Sequence, residues 1–300
     1  MVWHGTDRIL QGGEMRTIGL EDLRIAYTPI PRCANTSIKL SLFKLETGRE
    51  FEGYIGDGPI WPHSTSKQEI HRNEILEFTG LTENDKDLIE ANYEFWFTVV
   101  DTPLRRLFSS YYMFVLLEDP HLTVMGRDSV TFPSLKEFSY SSIRSHFELF
   151  VESQFLRSLM EIDDHFIPQN NLLGKFALSS KLRIYSLSEI KRMQNEVNQF
   201  LFENMIKARL EVRRSNTSLI SVDDLDISLK CRTLVASLYQ EDMRMIEMKT
   251  NVIEQKTKEY KASENEKLIS LAVSEIRERN KRILAIYEKQ NKMATESLSD

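Results

Sequence analysis

Residues 23–45 read LRIAYTPIPRCANTSIKLSLFKL, and the order of residue types in this stretch sets the fold. Ile25, Ala26, Tyr27, Thr28 and Ile30 are β-compatible and mostly apolar, so the stretch opens as a strand. Pro29 and Pro31 end it, because each proline fixes φ and removes a backbone donor. A short polar loop, Arg32-Cys33-Ala34-Asn35-Thr36-Ser37, comes next. Ile38, Leu40, Leu42, Phe43 and Leu45 then recur at helix spacing, and Gly48 supplies a stop. A strand that turns through small residues into a helix aims several backbone N–H groups at one spot. That spot lies at the positive end of the helix dipole and suits an anion. An ordinary strand-to-helix turn capped by Asn35 or Thr36 has the same outline.

A second strand-to-helix junction lies at FTVVDTPLRRLFSSYY, residues 97–112. Phe95–Val100 is a near-continuous apolar and β-branched run, the mark of a parallel strand buried on both faces. Asp101-Thr102-Pro103 stops it, and a helix over 104–117 follows. Arg106 and Ser109 share one face of that helix at i, i+3 spacing. A further short strand is expected around Leu182–Tyr185. Helices are expected over 69–94 (with a break at 81–85), 134–146, 147–161, 188–212 and 222–248. Residues 47–68 hold Gly48, Gly53, Gly56, Gly58, Pro59 and Pro62, the composition of a long functional loop. The fold class expected is α/β, a P-loop-like central parallel sheet flanked by helices with a long helical C-terminal extension. Its boundaries are a polar lead-in over 1–22, the α/β domain over 23–249 and a charged helical tail over 250–300.

In that tail Ile269, Val273, Ile276, Asn280, Ile283 and Tyr287 fall on a 4-3-4-3-4 spacing. This is a heptad seam of about three repeats. It predicts either self-association through residues 250–300 as a short coiled coil or a single helix packed back on the domain.

The 300 residues are 41% hydrophobic and carry a formal net charge of −6, enough to bury a sizeable core and too acidic for a nucleic-acid partner. Cys33 and Cys231 lie far apart and outside any CxxC pair, and the six histidines lack ligand spacing. A disulfide framework and a metal site are therefore not expected, and a reducing, cytoplasmic setting is. No apolar run reaches the roughly 20 residues of a membrane span. No GxxxxGK[ST] segment exists, which disfavours a P-loop phosphotransferase.

Read together, the two junctions resemble the sulfotransferase superfamily, in particular carbohydrate sulfotransferases that use 3′-phosphoadenosine-5′-phosphosulfate and their bacterial relatives without membrane anchors. The first loop, Pro31-Arg32-Cys33-Ala34-Asn35-Thr36-Ser37, is similar to the family's Pro-Lys-x-x-x-Thr-Ser. Asp101-Thr102-Pro103-Leu104-Arg105-Arg106-Leu107-Phe108-Ser109-Ser110-Tyr111 is similar to its Arg-Asp-Pro-x-x-Arg-Leu-x-Ser-x-Tyr. Asp164-His165-Phe166-Ile167-Pro168-Gln169, Arg214-Ser215-Asn216-Thr217-Ser218 and Leu238-Tyr239-Gln240-Glu241-Asp242-Met243 resemble three later family segments in the same order.

The resemblance implies that Cys33, Ala34, Asn35, Thr36 and Ser37 cradle the 5′-phosphosulfate and that Arg32 steadies the leaving oxygen. It places Arg106 and Ser109 on the 3′-phosphate, and Arg214 and Ser218 near the nucleotide. The acceptor is a hydroxyl of a carbohydrate or similar molecule, no metal is involved, and His63 takes the acceptor's proton, with Asp57 and Glu69 as alternatives. Tyr54, Trp61, Tyr111 and Tyr112 are aromatic faces available to a sugar, although core packing produces the same spacing. Two positions depart from the family: its loop lysine is Arg32, and its 3′-phosphate arginine is Asp101. The second departure also suits a catalytically degraded, nucleotide-binding or scaffold relative.

Overall fold

The computed structural model describes residues 17–50, 54–55, 58–59, 83–118, 132–213, 218–250, 269–282 and 285. A four-stranded sheet runs in the order β1 (Ile18–Leu20), β2 (Ile25–Tyr27), β5 (Phe95–Val100), β6 (Leu182–Ser186). Two two-residue strands, β3 (Tyr54–Ile55) and β4 (Gly58–Pro59), pair separately. β2, β5 and β6 are parallel, with Tyr27 opposite Phe97 and Thr98 opposite Ile184. β1 is antiparallel to β2 and fully buried, so the sheet begins before the expected boundary at residue 23. A three-residue strand next to Gly19 carries too little periodicity to stand out from a polar lead-in. All six β5 side chains are buried, as a central parallel strand requires. The polar groups in this layer pair among themselves. Trp96 Nε1 donates to Thr28 Oγ1 at 2.8 Å, and Thr98 Oγ1 to the Thr28 carbonyl at 2.7 Å.

Each of the two junctions feeds a helix, α1 (Asn35–Thr47) after β2 and α3 (Pro103–Ser110) after β5, with α2 (Lys86–Asn92) leading into β5. α3 passes into one turn of π-helix over Tyr111–Leu116, closed by Leu117 N–H on the Tyr112 carbonyl at 2.9 Å. A second apolar cluster forms around it, with Phe108 and Tyr111 edge-on to Phe147 at 5.1 and 5.0 Å. Tyr111 and Tyr112 belong to this core, at 0% and 4% exposure, and do not present faces to a sugar.

Serine caps cut the expected helices. Ser139 and Ser142 form a reciprocal capping box, so the helix expected from residue 134 starts as α4 (Tyr140–Glu152). Ser153 turns extended and caps α5 (Gln154–Ile162), with α6 (Gln169–Leu173) following. α7 (Ile190–Glu203) ends nine residues short of the predicted 212. The chain beyond it is held by Asn198, which accepts from the Leu210 N–H at 2.7 Å and donates to its carbonyl at 3.1 Å. The long helix expected over 222–248 is two, α8 (Leu229–Leu238) capped by Ser228 and α9 (Gln240–Lys249). They part at Tyr239, whose hydroxyl donates to the Phe166 carbonyl at 2.8 Å.

Residues 269–282 are helical, and the heptad seam, at its described positions, faces the chain's own second cluster. Val273 is fully buried, and Asn280 Nδ2 donates to the Leu117 carbonyl at 2.9 Å. Arg277 donates to the carbonyls of Leu116 at 2.6 Å and Leu135 at 2.7 Å, and its charge meets Glu118 at 3.2 Å. A cation and an amide thus cap the C-terminal end of the π-helix. Self-association by this seam would require the helix to leave that site; Ile283 and Tyr287 lie outside the described residues. No helix among the described residues is long and apolar enough to cross a membrane. Arg277→Ala leaves two carbonyls without their donor and Glu118 without its cation. It is expected to cost about 3 kcal/mol in urea unfolding, more than an alanine at exposed Arg282 would.

Candidate functional site

The first loop turns through two left-handed residues in three, Arg32 at φ 68° and Ala34 at φ 57°, with no glycine to make this easy. Such backbone, costing about 1–3 kcal/mol per residue, persists where surroundings fix it. The Cys33 N–H closes onto the Ile30 carbonyl at 3.2 Å, so the N–H groups left for an anion are those that follow it into the first turn of α1. Ala34 precedes α1 and gives it no side-chain cap. The expected caps, Asn35 and Thr36, are instead its first helical residues. Asn35 Oδ1 is buried and has no hydrogen-bond partner. A turn of that amide would present its NH₂ to an anion. Lys39, one helical turn further on, is 7% exposed, and burial lowers its ammonium to about 8. Nothing in the sequence pattern marked it, since it sits where the helix spacing allows a surface residue.

The second loop meets the first directly. Arg32 donates to Ser109 Oγ from Nε at 3.1 Å and from Nη2 at 2.9 Å, a fork across 77 positions of chain. The residue expected on the leaving oxygen and the residue expected on the 3′-phosphate therefore share one place.

Arg106 has a different task from the one the resemblance implies. It is 2% exposed and donates to three carbonyls: Pro31 at 3.1 Å, Ile167 at 2.8 Å and Asp164 at 2.6 Å. Its guanidinium pins the first loop to the 163–168 turn and does not reach outward. Ser110 reinforces the same turn by donating to the His165 carbonyl at 2.7 Å. On that turn the buried Asp163 accepts from His165 Nδ1 at 2.8 Å, so a carboxylate orients the half-buried imidazole.

Gln169, wholly buried, ties the parts together. Its Oε1 accepts from the Asp101 N–H at 3.0 Å and from the Cys33 thiol at 3.3 Å, while Nε2 donates to the Asp101 carbonyl at 2.8 Å. Asp242, on α9, accepts from the Gln169 and Asn170 N–H groups at 2.8 and 2.7 Å and from Gln169 Nε2 at 3.3 Å. A carboxylate from late in the chain thus covers the start of α6. Burial pushes the Cys33 thiol far above the usual range, so it acts as a neutral donor. Burial also raises the Asp242 carboxyl, against the pull of those N–H groups.

Asp101 is 7% exposed and accepts from the Thr102 N–H at 2.8 Å. Burial raises its carboxyl to about 7, with the Thr102 N–H and then Arg105 opposing the shift. Arg105 itself is held by Asp223 at 2.7 Å. Ser218 is exposed, and its neighbour Arg214 lies outside the described residues, as do His63, Asp57, Glu69 and Trp61. Of Tyr54, only the backbone is described.

Gln169→Leu strips partners from both main-chain groups of residue 101 at once. It is expected to lower stability by about 3 kcal/mol or more in urea unfolding. The folded chain also holds the Asp101 proton more tightly than an unfolded chain, whose aspartates titrate near 4. The stability this contributes is complete below pH about 4 and is lost as pH rises through about 7. Unfolding free energies measured from pH 4 to 8 should therefore decline, and less steeply in Asp101→Asn, which keeps an acceptor for Thr102.

Searches of curated proteins and of solved structures each return no match. A comparison with protein-family models matches residues 16–249 to the sulfotransferase family, a span that starts at β1 and ends with α9. It takes in both loops, the Gln169 clamp and the Asp242 helix that braces it. On that match, and with a central sheet flanked by helices, the chain belongs to the sulfotransferase family.

Proposed function

We propose that the protein moves a sulfuryl group from 3′-phosphoadenosine-5′-phosphosulfate to a hydroxyl of a carbohydrate or similar acceptor. The observation that carries this reading is the Arg32–Ser109 fork, which brings the two loops into direct contact. The first-turn N–H groups of α1 and the Asn35 amide, once turned to bring its NH₂ round in place of the unpartnered Oδ1, fit an anionic phosphosulfate there. The donor supplies an activated S–O bond. In the reaction the acceptor oxygen bonds to sulfur as the bond to the bridging oxygen breaks, in line, and positioning with charge stabilisation lowers the barrier.

The chain's own residues divide the work as follows. Backbone N–H groups of 34–37, with the Thr36 and Ser37 hydroxyls, hold the phosphosulfate, while Cys33, whose N–H meets the Ile30 carbonyl, braces the loop. Arg32 stabilises charge on the departing oxygen; its planar fork spreads that charge over more donors than a lysine would. Ser109 holds the nucleotide, and Arg106 positions the loop from behind. His63 is assigned the acceptor's proton. Arg214 and Ser218 are assigned to the nucleotide's far side.

Asp101 favours a second reading, a relative that binds nucleotide without turnover. Transfer of labelled sulfuryl from the donor to a panel of saccharides separates the two. Arg32→Ala is expected to reduce kcat by about 100-fold or more, while Ser109→Ala chiefly raises the donor KM. Binding of adenosine 3′,5′-bisphosphate without transfer to any acceptor would favour the second reading, and loss of both would sink the proposal.

A further inference from the structure

The chain that leaves α7 runs back along that helix as an extended ribbon. Met205 takes a left-handed φ of 58°, and the Ile206 N–H closes onto the Leu201 carbonyl at 2.9 Å, a reversal that usually falls to glycine. Residues 206–213 then alternate. Ile206, Ala208, Leu210 and Val212 pack onto the apolar cluster that holds the sheet, while Lys207, Arg209, Glu211 and Arg213 are exposed. Side-chain amides of α7 stand in for a neighbouring strand. Asn198 takes both main-chain groups of Leu210, and Gln194 Oε1 accepts from the Val212 N–H at 3.0 Å. The spacing is that of an extended chain, because two strand residues advance about 6.6 Å and the four helical residues from 194 to 198 about 6 Å.

In an extended chain the main-chain groups of successive residues point to opposite edges. Those of 210 and 212 are taken by α7, so those of Arg209 and Glu211 point the other way, and among the described residues they meet no partner. An edge of this kind is a template for another strand. The exposed charges select which strand. Antiparallel pairing about a two-fold axis at Leu210 sets Arg209 opposite Glu211 of the copy and Glu211 opposite its Arg209, each pair exchanging both main-chain hydrogen bonds. An axis at 209 or at 211 instead sets a residue opposite its own like charge, and an axis between two residues sets outward positions against inward ones. Lys207 then faces Arg213, whose charge is already met by Glu50 at 3.3 Å and Glu211 at 3.8 Å. The head of the edge is apolar as well: Phe202 and Met205 are 81% and 91% exposed, surface that favours being covered.

We propose that this edge joins two copies of the chain, residues 206–213 of each pairing antiparallel across Leu210. The partner is a second copy because the segment is complementary to itself in one register. The contact is small and its charge pairs face water, so the dimer forms and parts with concentration.

Sedimentation velocity of the full chain from about 5 to about 500 μM tests it, the range in which so small an interface dissociates. A monomer–dimer equilibrium is expected. Glu211→Arg sets like charges opposite each other at both pairs and should weaken association by about tenfold or more, as should Arg209→Glu. The chain carrying both reversals restores the pairs with exchanged signs and should associate within about threefold of the parent. Glu211→Pro removes a donor from the open edge, leaves Leu210 and Val212 bonded to α7, and should abolish the dimer. A chain that stays monomeric throughout the range would overturn the proposal. So would a dimer indifferent to Glu211→Arg in a protein that melts like the parent, or a double reversal as weak as the single ones.

Discussion

The site depends on one buried carboxamide. Gln169 uses its oxygen twice and its NH₂ twice, and every partner lies on a different part of the chain: Cys33, the two main-chain groups of residue 101, and Asp242. A group with two donors and two acceptor sites is suited to a crossing point where no water enters. The same low dielectric that strengthens these bonds makes each of them costly to leave unmade. Loops grafted on adjacent parallel strands would otherwise be free to part, since only three register pairs join β2 to β5. The clamp ties the two strand ends together.

A second constraint works through charge. Arg106 is a buried cation whose direct partners are carbonyls, with no carboxylate paired to it among the described residues. Its charge is felt by Asp101 and by Asp242, both of which it draws downward against the effect of burial. Buried ions of opposite sign thus sit within reach of one another without forming salt bridges, each solvated by main-chain dipoles. That arrangement avoids much of the desolvation penalty of a bare buried ion. It also explains why Arg106 looks like a ligand-binding residue in the sequence. It occupies the correct face of the correct helix, and only the positions of Pro31 and the 163–168 turn show that its three nitrogens already have carbonyls to meet.

What was legible in the sequence followed from residues whose effect is local. The apolar run at 95–100 and the paired prolines at 29 and 31 act on their own backbone, and β5 and the first loop lie where those signals put them. The helix breaks at Ser139, Ser153 and Ser228 were not legible, because serine is also tolerated on a helix surface and caps only when the chain turns there. The seam from Ile269 posed another kind of ambiguity. A heptad pattern over about three repeats is indistinguishable from the stripe of a helix packed on a globular core, and only the position of the Leu116 and Leu117 carbonyls separates the two. Asp242 and Gln169, 73 positions apart, could be seen as motif residues but not as partners.

The clamp also explains why the side chain at position 101 is free to be a carboxyl. Gln169 holds residue 101 entirely through its main chain, accepting from its N–H and donating to its carbonyl. No side-chain atom of that residue takes part in joining the loops. The Asp101 carboxyl caps only the adjacent Thr102 N–H, a role open to other short acceptors. Exchange of the side chain therefore leaves the joint between the loops in place. Arg106 is the opposite case: its side chain is the architecture, and no other residue has a planar fork able to meet three carbonyls at once. Fold and chemistry are thus carried by different atoms of neighbouring residues. The joint between the two loops is therefore indifferent to the side chain at 101 and intolerant of change at 106.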